Sequence, residues 1–318
     1  MRCYDSSPGK AILLAAGVVF GLIPAGLMVY NRKKRKEADE MNCVRMVFPG
    51  GKHRAFTMSY DDGVEQDVRL ISTMKKYGVK GTFNLNSGLY AAAGTVYPKG
   101  QVHRRMTREM CLKTYDPKIC EVAVHGYRHP FWNQLPAGTR MLDIIKDREQ
   151  LESDFDTVIR GAAYPYGAYD GATIDTLRDA GIVYCRTVNA THSFRIPENW
   201  LALDPTCHHN DEKLDELADR FLAATDSREP MLFYLWGHSY EFEGMDNWPR
   251  IESFLSKIGA NADIWYATNI EVYDYVQAFK QLRFSADGKT VVNPSAMPVW
   301  FKDEKLTHMV AGGETYRL

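Results

Sequence analysis

Residues 54–63 read RAFTMSYDDG, an apolar stretch that ends in two adjacent carboxylates and a glycine. The following residues, 64–77, place apolar side chains at helical spacing, and Gly78 then favours a helix end. The stretch therefore predicts a buried strand, a turn that presents Asp61 and Asp62, and a helix. A strand followed by a helix is the repeating unit of parallel sheets covered by helices.

The same alternation of strand and helix continues along the chain. Predicted strands at residues 79–85, 121–124, 162–164, 182–187, 231–236 and 264–267 alternate with predicted helices at residues 141–159, 172–180, 211–225, 248–258 and 270–281. Polar clusters follow the strand ends, which favours a barrel over an open sheet. We therefore predict an α/β fold class, an irregular (β/α) barrel of about seven strands. After residue 282 short strand patterns predict a small C-terminal antiparallel β appendage.

The 318 residues carry a formal net charge of −1, so the chain has no global basic excess for binding nucleic acid. This sum hides a net charge of +3 over residues 1–40 and of −4 over the remainder. Residues 11–30 form an uncharged run long enough to cross a bilayer as a transmembrane helix. We predict an N-terminal membrane segment over 1–40, the barrel over 41–282 and the appendage over 283–318.

The position of residues 41–318, the body of the chain, relative to the membrane has two interpretations. Residues 32–36 are all basic, and the positive-inside rule then favours a single-pass anchor with the body in the cytoplasm. Translation that starts at Met41 would instead give a soluble cytoplasmic protein without this segment. A buried core helix and a cleavable signal peptide are two further interpretations of the apolar run.

Four polar clusters follow predicted strands and carry the chemistry. They are Asp61-Asp62-Gly63, the HGYRHP of residues 125–130, Tyr164-Pro165-Tyr166-Gly167, and Trp236-Gly237-His238. Two histidines four residues apart can converge on one ion, and adjacent carboxylates can bind a metal and accept a proton. A histidine directly after a buried strand is a candidate acid or base. Each cluster also fits an ordinary turn, and their shared position favours one Asp/His/His site.

These motifs resemble those of the polysaccharide deacetylases, the NodB-homology group of carbohydrate esterase family four, over roughly residues 54–282. The family motif T-F-D-D-G is similar to residues 59–63, and H-[S/T]-x-x-H to residues 125–129. R-x-P-Y is similar to residues 163–166, and L-x-H to residues 236–238. The resemblance implies an irregular (β/α) barrel that removes acetyl groups from N-acetylated or O-acetylated carbohydrate, usually with a divalent ion.

The resemblance also implies roles for the matched residues. Asp61 would be the general base and His238 the general acid. Asp62, His125 and His129 would bind one divalent metal, with zinc expected first and cobalt, manganese or nickel as alternatives. Three protein ligands leave an open position, as a catalytic zinc requires.

Further residues are expected to contact an acetylated oligosaccharide or polysaccharide substrate. The backbone N–H of Tyr166 would stabilise the oxyanion. Trp132, Trp236 and Tyr240 could offer ring faces to a sugar, and core packing is the alternative role for these three rings.

The chain departs from the family pattern at three points. Gly126 replaces the Ser/Thr that braces the metal-binding loop in the family. Ala163 stands where the family has an arginine that contacts the base, and Arg160 is a candidate to reach the same place. The D-x-x-D-W motif has no clear match, and Asp204 is a candidate for the acid that tunes His238.

Two other functions follow from these departures and from the barrel itself. The first is a metal-independent barrel amidase that acts on a small ureide. The second is a catalytically inactive, membrane-anchored carbohydrate-binding protein. The sequence predicts neither the particular sugar nor the oligomeric state.

Overall fold

The computed structural model describes residues 44–225, 228–304 and 306–318. Its strands are β1 (Arg45–Val47), β2 (Arg54–Asp61), β3 (Gly81–Leu85), β4 (Cys120–Val124), β5 (Gly161–Ala163), β6 (Tyr184–Arg186), β7 (Cys207–His208), β8 (Met231–Gly237), β9 (Ile264–Tyr266), β10 (Arg283–Phe284), β11 (Thr290–Val292), β12 (Val299–Lys302), β13 (Thr307–Val310) and β14 (Thr315–Arg317). Its α-helices are α1 (Asp67–Tyr77), α2 (Arg108–Thr114), α3 (Ala137–Phe155), α4 (Gly171–Asp179), α5 (Leu214–Ala223), α6 (Tyr240–Gly244), α7 (Trp248–Ile258) and α8 (Asn269–Lys280).

The main sheet confirms the predicted α/β class. Its strands follow the order β6-β5-β4-β3-β2-β8-β7, and every pairing in it is parallel. Strand β9 also pairs with β2, along its first residues, whereas β3 pairs with the last residues of β2. Strands β3 and β9 thus share one edge of β2, and the sheet forms a curled half-barrel of seven strands with β9 added.

The two edge regions of this curled sheet are linked by the segment before β7. The backbone N–H of Leu203 donates to the carbonyl of Cys185 in β6, at 2.9 Å. The N–H of Thr206 donates to the carbonyl of Tyr234 in β8, at 2.8 Å. The half-barrel therefore has a backbone bridge between its first and last strands.

The core lies between the sheet and the helices. All eight residues of β2 are buried, including Arg54, Thr57, Ser59 and Asp61, so the strand lies at the centre of the fold with both of its faces covered. Phe233 of β8 is fully buried, and its ring centroid lies 5.8 Å from that of Phe56, 5.5 Å from Phe221 and 5.6 Å from Phe254. Helices α5 and α7 thus close one face of the sheet through aromatic contacts.

Most predicted element limits agree with the structure to within a few residues. Helix α7 has the predicted bounds, and α1 ends at Gly78, whose φ of 65° is the left-handed conformation typical of a helix end. Helix α3 begins at Ala137, earlier than the predicted 141, and ends at Phe155.

The C-terminal strands form two antiparallel three-stranded sheets. The predicted hairpin is present as β10 and β11, and β14 pairs with β11 on its other side. The second sheet joins β12 and β13 to β1, so residues from the start of the described chain complete it. The hydroxyl of Tyr275 on α8 donates to the carbonyl of Val47 at 2.6 Å, which ties this sheet to the main fold.

The predicted transmembrane helix at residues 11–30 lies outside the described residues. Among the helices of the described ranges, none combines the length and the apolar character needed to cross a bilayer. The membrane anchor therefore stays a prediction.

We predict that Phe233→Ala lowers the free energy of unfolding by about 3–5 kcal/mol, the usual cost of removing a buried phenyl ring. Chemical denaturation of the full chain measures this change. Val96, which is 90% exposed, provides the control, and Val96→Ala should stay within about 0.5 kcal/mol of the parent protein. Equal stability of the two variants would contradict the core described above.

Candidate active site

The carboxyl ends of neighbouring strands bring the predicted catalytic residues together. Tyr60 of β2 pairs with Gly237 of β8, so Asp61 and His238, the next residues, lie side by side. Nε2 of His238 is 3.7 Å from Oδ2 of Asp61. His125 follows β4 and reaches the same point, with its Nε2 3.6 Å from Oδ2 of Asp61. The side chains line one cavity of about 480 Å³.

The three predicted metal ligands converge in this cavity. Nε2 of His125 and Nε2 of His129 are 3.1 Å apart, and Nε2 of His129 is 3.9 Å from Oδ1 of Asp62. Every pair of ligand atoms among the three residues lies within 4.8 Å. Asp62 and His129 have φ angles of 81° and 52°, a left-handed conformation that is costly for non-glycine residues. The backbone is thus strained where the side chains converge.

The chemical state of the two histidines fits a divalent metal. Nδ1 of His125 lies 2.9 Å from the carbonyl oxygen of Ala163, so it carries the ring proton and leaves a lone pair on Nε2. Burial lowers the pKa of His125 below its ordinary value. Burial also lowers the pKa of His129, to about 4. Both rings are therefore neutral near pH 7, as metal ligands must be.

Asp62 is ionised and already held on both sides. Nε2 of His103 lies 3.1 Å from its Oδ2, and Nη2 of Arg105 donates to its Oδ1 at 3.1 Å. Burial acts to raise the pKa of Asp62, but the hydrogen bond with His103 and the charge of Arg105 hold that pKa well below its usual range. Arg105 also donates to the oxygen of the Asn86 side chain, at 2.8 Å. No sequence motif indicates a role for the loop that carries His103 and Arg105.

Two carboxylates of α3 fix the loop that carries the histidines. Oδ2 of Asp147 accepts from the backbone N–H of His125 at 3.1 Å. Asp143, one helical turn earlier, accepts from the N–H of Tyr127 at 3.1 Å and from the indole of Trp132 at 2.9 Å. In the sequence, only the spacing of four residues on a predicted helix indicated that Asp143 and Asp147 share one face. Trp132 is fully buried, so core packing is its role and the expectation that it faces a sugar was wrong.

Asp61 is paired with a buried arginine. Nη2 of Arg186, the last residue of β6, donates to Oδ2 of Asp61, and Asn84 donates to Oδ1 at 2.8 Å. Burial would raise the pKa of Asp61, and the charge of Arg186 outweighs it and lowers that pKa. The guanidinium also lies 4.3 Å above the ring of Trp236. Asp61 is thus ionised and available as a proton acceptor.

The arginine predicted to contact Asp61 lies elsewhere. Arg160 donates to both carboxylate oxygens of Asp274 on α8, at 3.0 and 2.6 Å. It precedes β5 at the amino end of the strand, whereas Asp61 stands at a carboxyl end. Arg186 takes the place that Arg160 was expected to fill. A basic residue at the end of a predicted apolar strand was the signal for Arg186.

The acid beside His238 is also a different residue from the one predicted. Nδ1 of His238 donates to Oε1 of Glu241 at 2.8 Å. Asp204 instead accepts from the hydroxyl of Thr187. Burial acts to lower the pKa of His238, but the hydrogen bond with Glu241 and the charge of Asp61 outweigh it and raise that pKa. Glu241 lies three residues beyond His238, at the start of α6.

Aromatic rings form the walls of the cavity. Tyr166 has a φ of 60°, and its ring stacks on Phe131 with the centroids 3.9 Å apart. The same ring lies 4.4 Å from that of His129. Trp236 and Tyr240 line the cavity as well. The cavity thus combines aromatic walls with the carboxylate, guanidinium and imidazole groups described above.

The half-barrel and its motifs at the strand ends define the NodB-homology class of barrel. Residues 50–185 match the family model described as polysaccharide deacetylase, which confirms the predicted resemblance over this part of the chain. No curated protein matches the chain.

A solved structure with a TM-score above 0.5 has the same fold, and two others resemble the chain at lower TM-scores. A candidate polysaccharide deacetylase of Mycobacterium smegmatis has 18% identity and a TM-score of 0.53, and the match covers 74% of this chain and 94% of that one. The Streptococcus pyogenes deacetylase PplD, solved with acetate, has 18% identity and a TM-score of 0.39, with 46% of this chain and 61% of that one covered. The Bacillus anthracis pseudoenzyme BA3943 of carbohydrate esterase family four has 17% identity and a TM-score of 0.41, with 72% and 67% covered.

We predict that the full chain binds Zn²⁺ and that His129→Ala weakens this binding by at least about 10-fold, the loss caused even by removing an outer contact of a metal site. Equilibrium dialysis at pH 7 gives the affinity. His192, whose Nε2 lies 2.7 Å from Oδ2 of Asp211, does not line the cavity, so His192→Ala is the control and should bind as the parent does. Unchanged affinity in His129→Ala would remove this residue from the ligand set.

Proposed function

We propose that the protein is a metal-dependent hydrolase that removes acetyl groups from N-acetylated or O-acetylated carbohydrate. The observation that supports it best is the placing of two tuned proton carriers beside one convergent ligand set. Arg186 lowers the pKa of Asp61 and Glu241 raises the pKa of His238, with 3.7 Å between Nε2 of His238 and Oδ2 of Asp61. Acyl transfer to water needs such a base and such an acid.

The base side of the reaction is assigned to Asp61. A divalent ion held by Asp62, His125 and His129 would lower the pKa of water and polarise the acetyl carbonyl. Asp61 would take the proton from the attacking water at Oδ2. The neighbouring Arg186 stabilises the ionised form of Asp61 before the reaction, and it is too deeply buried to contact substrate itself.

The acid side is assigned to His238. An amide nitrogen leaves poorly unless it is protonated, so a proton donor close to the carbonyl is required. Glu241 occupies Nδ1 of His238, which leaves Nε2 to deliver the proton to the departing amine or alcohol. The N–H of Tyr166 would stabilise the oxyanion, and the rings of Trp236 and Tyr240 would contact the sugar.

The substrate class follows from the family and from the cavity. Acetylated oligosaccharides or polysaccharides carry the acetyl group on a ring that fits a cavity of about 480 Å³ with aromatic walls. Zinc is our first choice of metal because two neutral imidazoles and one carboxylate are typical catalytic zinc ligands. The contact between Arg186 and Asp61 also removes one reason to expect an inactive binding protein.

We predict that the full chain releases acetate from N-acetylated chito-oligosaccharides and loses this activity after chelation. For His238→Ala we expect a fall in rate of about 10²–10⁴-fold, the usual contribution of a general acid. Acetate release measured with and without chelator tests both points. Full activity after chelation would refute the metal mechanism, and an unchanged rate in His238→Ala would remove that residue from the role of acid.

We predict a shift of the pH profile when Arg186 is replaced. Asp61 must be ionised to act as base, so activity is lost as the pH falls through its pKa, which Arg186 lowers. Arg186→Met removes this charge, and the acid limb of kcat/KM should move to higher pH. Arg186→Lys keeps the charge and should move the limb less.

The measurement is kcat/KM against pH for both variants, after circular dichroism has shown that each is folded. Arg186→Met leaves a buried carboxylate without its cation, which costs about 3–5 kcal/mol, so the lysine variant is also the safeguard against loss of folding. An acid limb that stays in place in a folded Arg186→Met would show that Asp61 does not set it.

A further inference from the structure

A second group of histidines lies beside the site and has no part in the mechanism above. Nε2 of His209 is 3.0 Å from Oε2 of Glu241, and Nε2 of His208 is 3.3 Å from the same oxygen. The other oxygen of this carboxylate, Oε1, accepts from His238. The carboxylate of Glu241 therefore contacts three imidazoles. Its Oε1 lies against His238, and its Oε2 lies against His208 and His209.

The tautomer of His208 favours contacts with Glu241 over a metal ion at this group. The backbone N–H of Asn210 donates to Nδ1 of His208 at 3.1 Å, so Nδ1 carries no proton. In the neutral ring the proton is then on Nε2, which points to Glu241. A nitrogen that carries a proton has no lone pair for a metal. The side-chain amide of Asn210 also donates to Oε2 of Glu241, at 3.1 Å.

His209 is the member of this group that is fully buried and packed between aromatic rings. Its side chain is fully buried, and its Nδ1 lies 3.2 Å from the hydroxyl of Tyr60. The rings of Tyr60 and His209 stack with their centroids 5.6 Å apart. The ring centroid of Phe242, on α6, lies 4.1 Å from that of His209. The tautomer in which the Tyr60 hydroxyl donates to Nδ1 has its ring proton on Nε2, and this nitrogen lies 3.0 Å from Oε2 of Glu241, at an angle outside that of a regular hydrogen bond.

The residue before the catalytic histidine is shaped to admit His209. A Cβ atom at Gly237 would lie 2.0 Å from Nδ1 of His209, a distance that no side chain can accept. A glycine at this position therefore makes room for the imidazole directly beneath His238. Filling space alone would not require Nδ1 of His209 to lie this close to Gly237, at the end of β8.

We propose that His209 is a positioning residue for His238 and acts through Glu241. This rests on the proposed function, in which His238 protonates the leaving group. The contact at Oε2 fixes the plane of the carboxylate, and Oε1 then holds Nδ1 of His238 at 2.8 Å. Without His209 the carboxylate can rotate, and Nε2 of His238 loses its direction towards the leaving atom.

The consequence depends on the leaving group. In amide hydrolysis water adds to the carbonyl carbon and gives a proton to Asp61, the C–N bond breaks, and the amine nitrogen takes a proton from Nε2 of His238. In hydrolysis of 4-nitrophenyl acetate the C–O bond breaks and the stable phenolate leaves without a proton. Loss of positioning should therefore slow the amide reaction and spare the activated ester.

The test compares three variants of the zinc-loaded full chain on both substrates. His209→Leu and His209→Asn remove the donor at the Nε2 position, whereas the longer His209→Gln places an amide N–H near it. For the first two we expect kcat on N-acetylated chito-oligosaccharide to fall by about 10–100-fold, and on 4-nitrophenyl acetate by less than about threefold, because only the first reaction needs the acid. KM should change little, and His209→Gln should recover most of the lost rate.

The control is a histidine in a similar setting far along the chain. His308 is nearly buried, and its Nε2 lies 2.8 Å from Oδ2 of Asp303 in the C-terminal sheet. His308→Leu should leave the ratio of the two rates unchanged. An equal loss on both substrates in the His209 variants, or a glutamine variant as slow as leucine, would overturn the proposal.

A measurement without substrate separates this proposal from the proposed function. In a chain labelled with ¹⁵N-histidine, the Nδ1 proton of His238 should be protected from exchange by its bond to Glu241. We expect this signal to be lost in His209→Leu and His209→Asn and kept in His209→Gln and His308→Leu. A signal that survives in all four variants overturns the positioning role, whereas a parent chain that releases no acetate overturns the proposed function.

Discussion

Asp61 and Arg186 are both almost fully buried, and each charge is tolerable there only because the other lies against it. Asp61 ends β2, and Arg186 ends β6, four strands away along the sheet. The two side chains can meet only across the inside of a curled sheet, because a flat sheet would hold them more than 15 Å apart at about 4.8 Å per strand. The contact that keeps the base ionised thus depends on the curvature of the half-barrel.

The parts of the site that lie close together in sequence could be predicted. Asp61 and Asp62 are adjacent, His125 and His129 are one turn apart, and the parallel sheet follows from the alternation of strand and helix. The sheet then needed only its parallel register to bring these groups to one edge. The prediction of an α/β fold succeeded for the same reason, since it depends on local periodicity.

The supporting residues could not be predicted because they depend on side-chain direction over long separations. Arg160 and Arg186 stand at opposite ends of neighbouring strands, and only the register shows that the second faces Asp61. Glu241 is close in sequence to His238, but its role appears only when the turn into α6 directs it back. Asp147 lies on a helix whose polar residues would ordinarily face solvent.

The left-handed backbone at Asp62, His129 and Tyr166 has a consequence for the stability of the protein. Each of these non-glycine residues holds an unfavourable conformation that costs on the order of 1–3 kcal/mol, and all three line the cavity. Glycine at these positions would relax the backbone, yet it would remove two metal-ligand candidates and one aromatic wall. At these three positions, substitutions that raise the free energy of unfolding would remove groups that the chemistry needs. Selection for thermal stability alone would therefore change the cavity first.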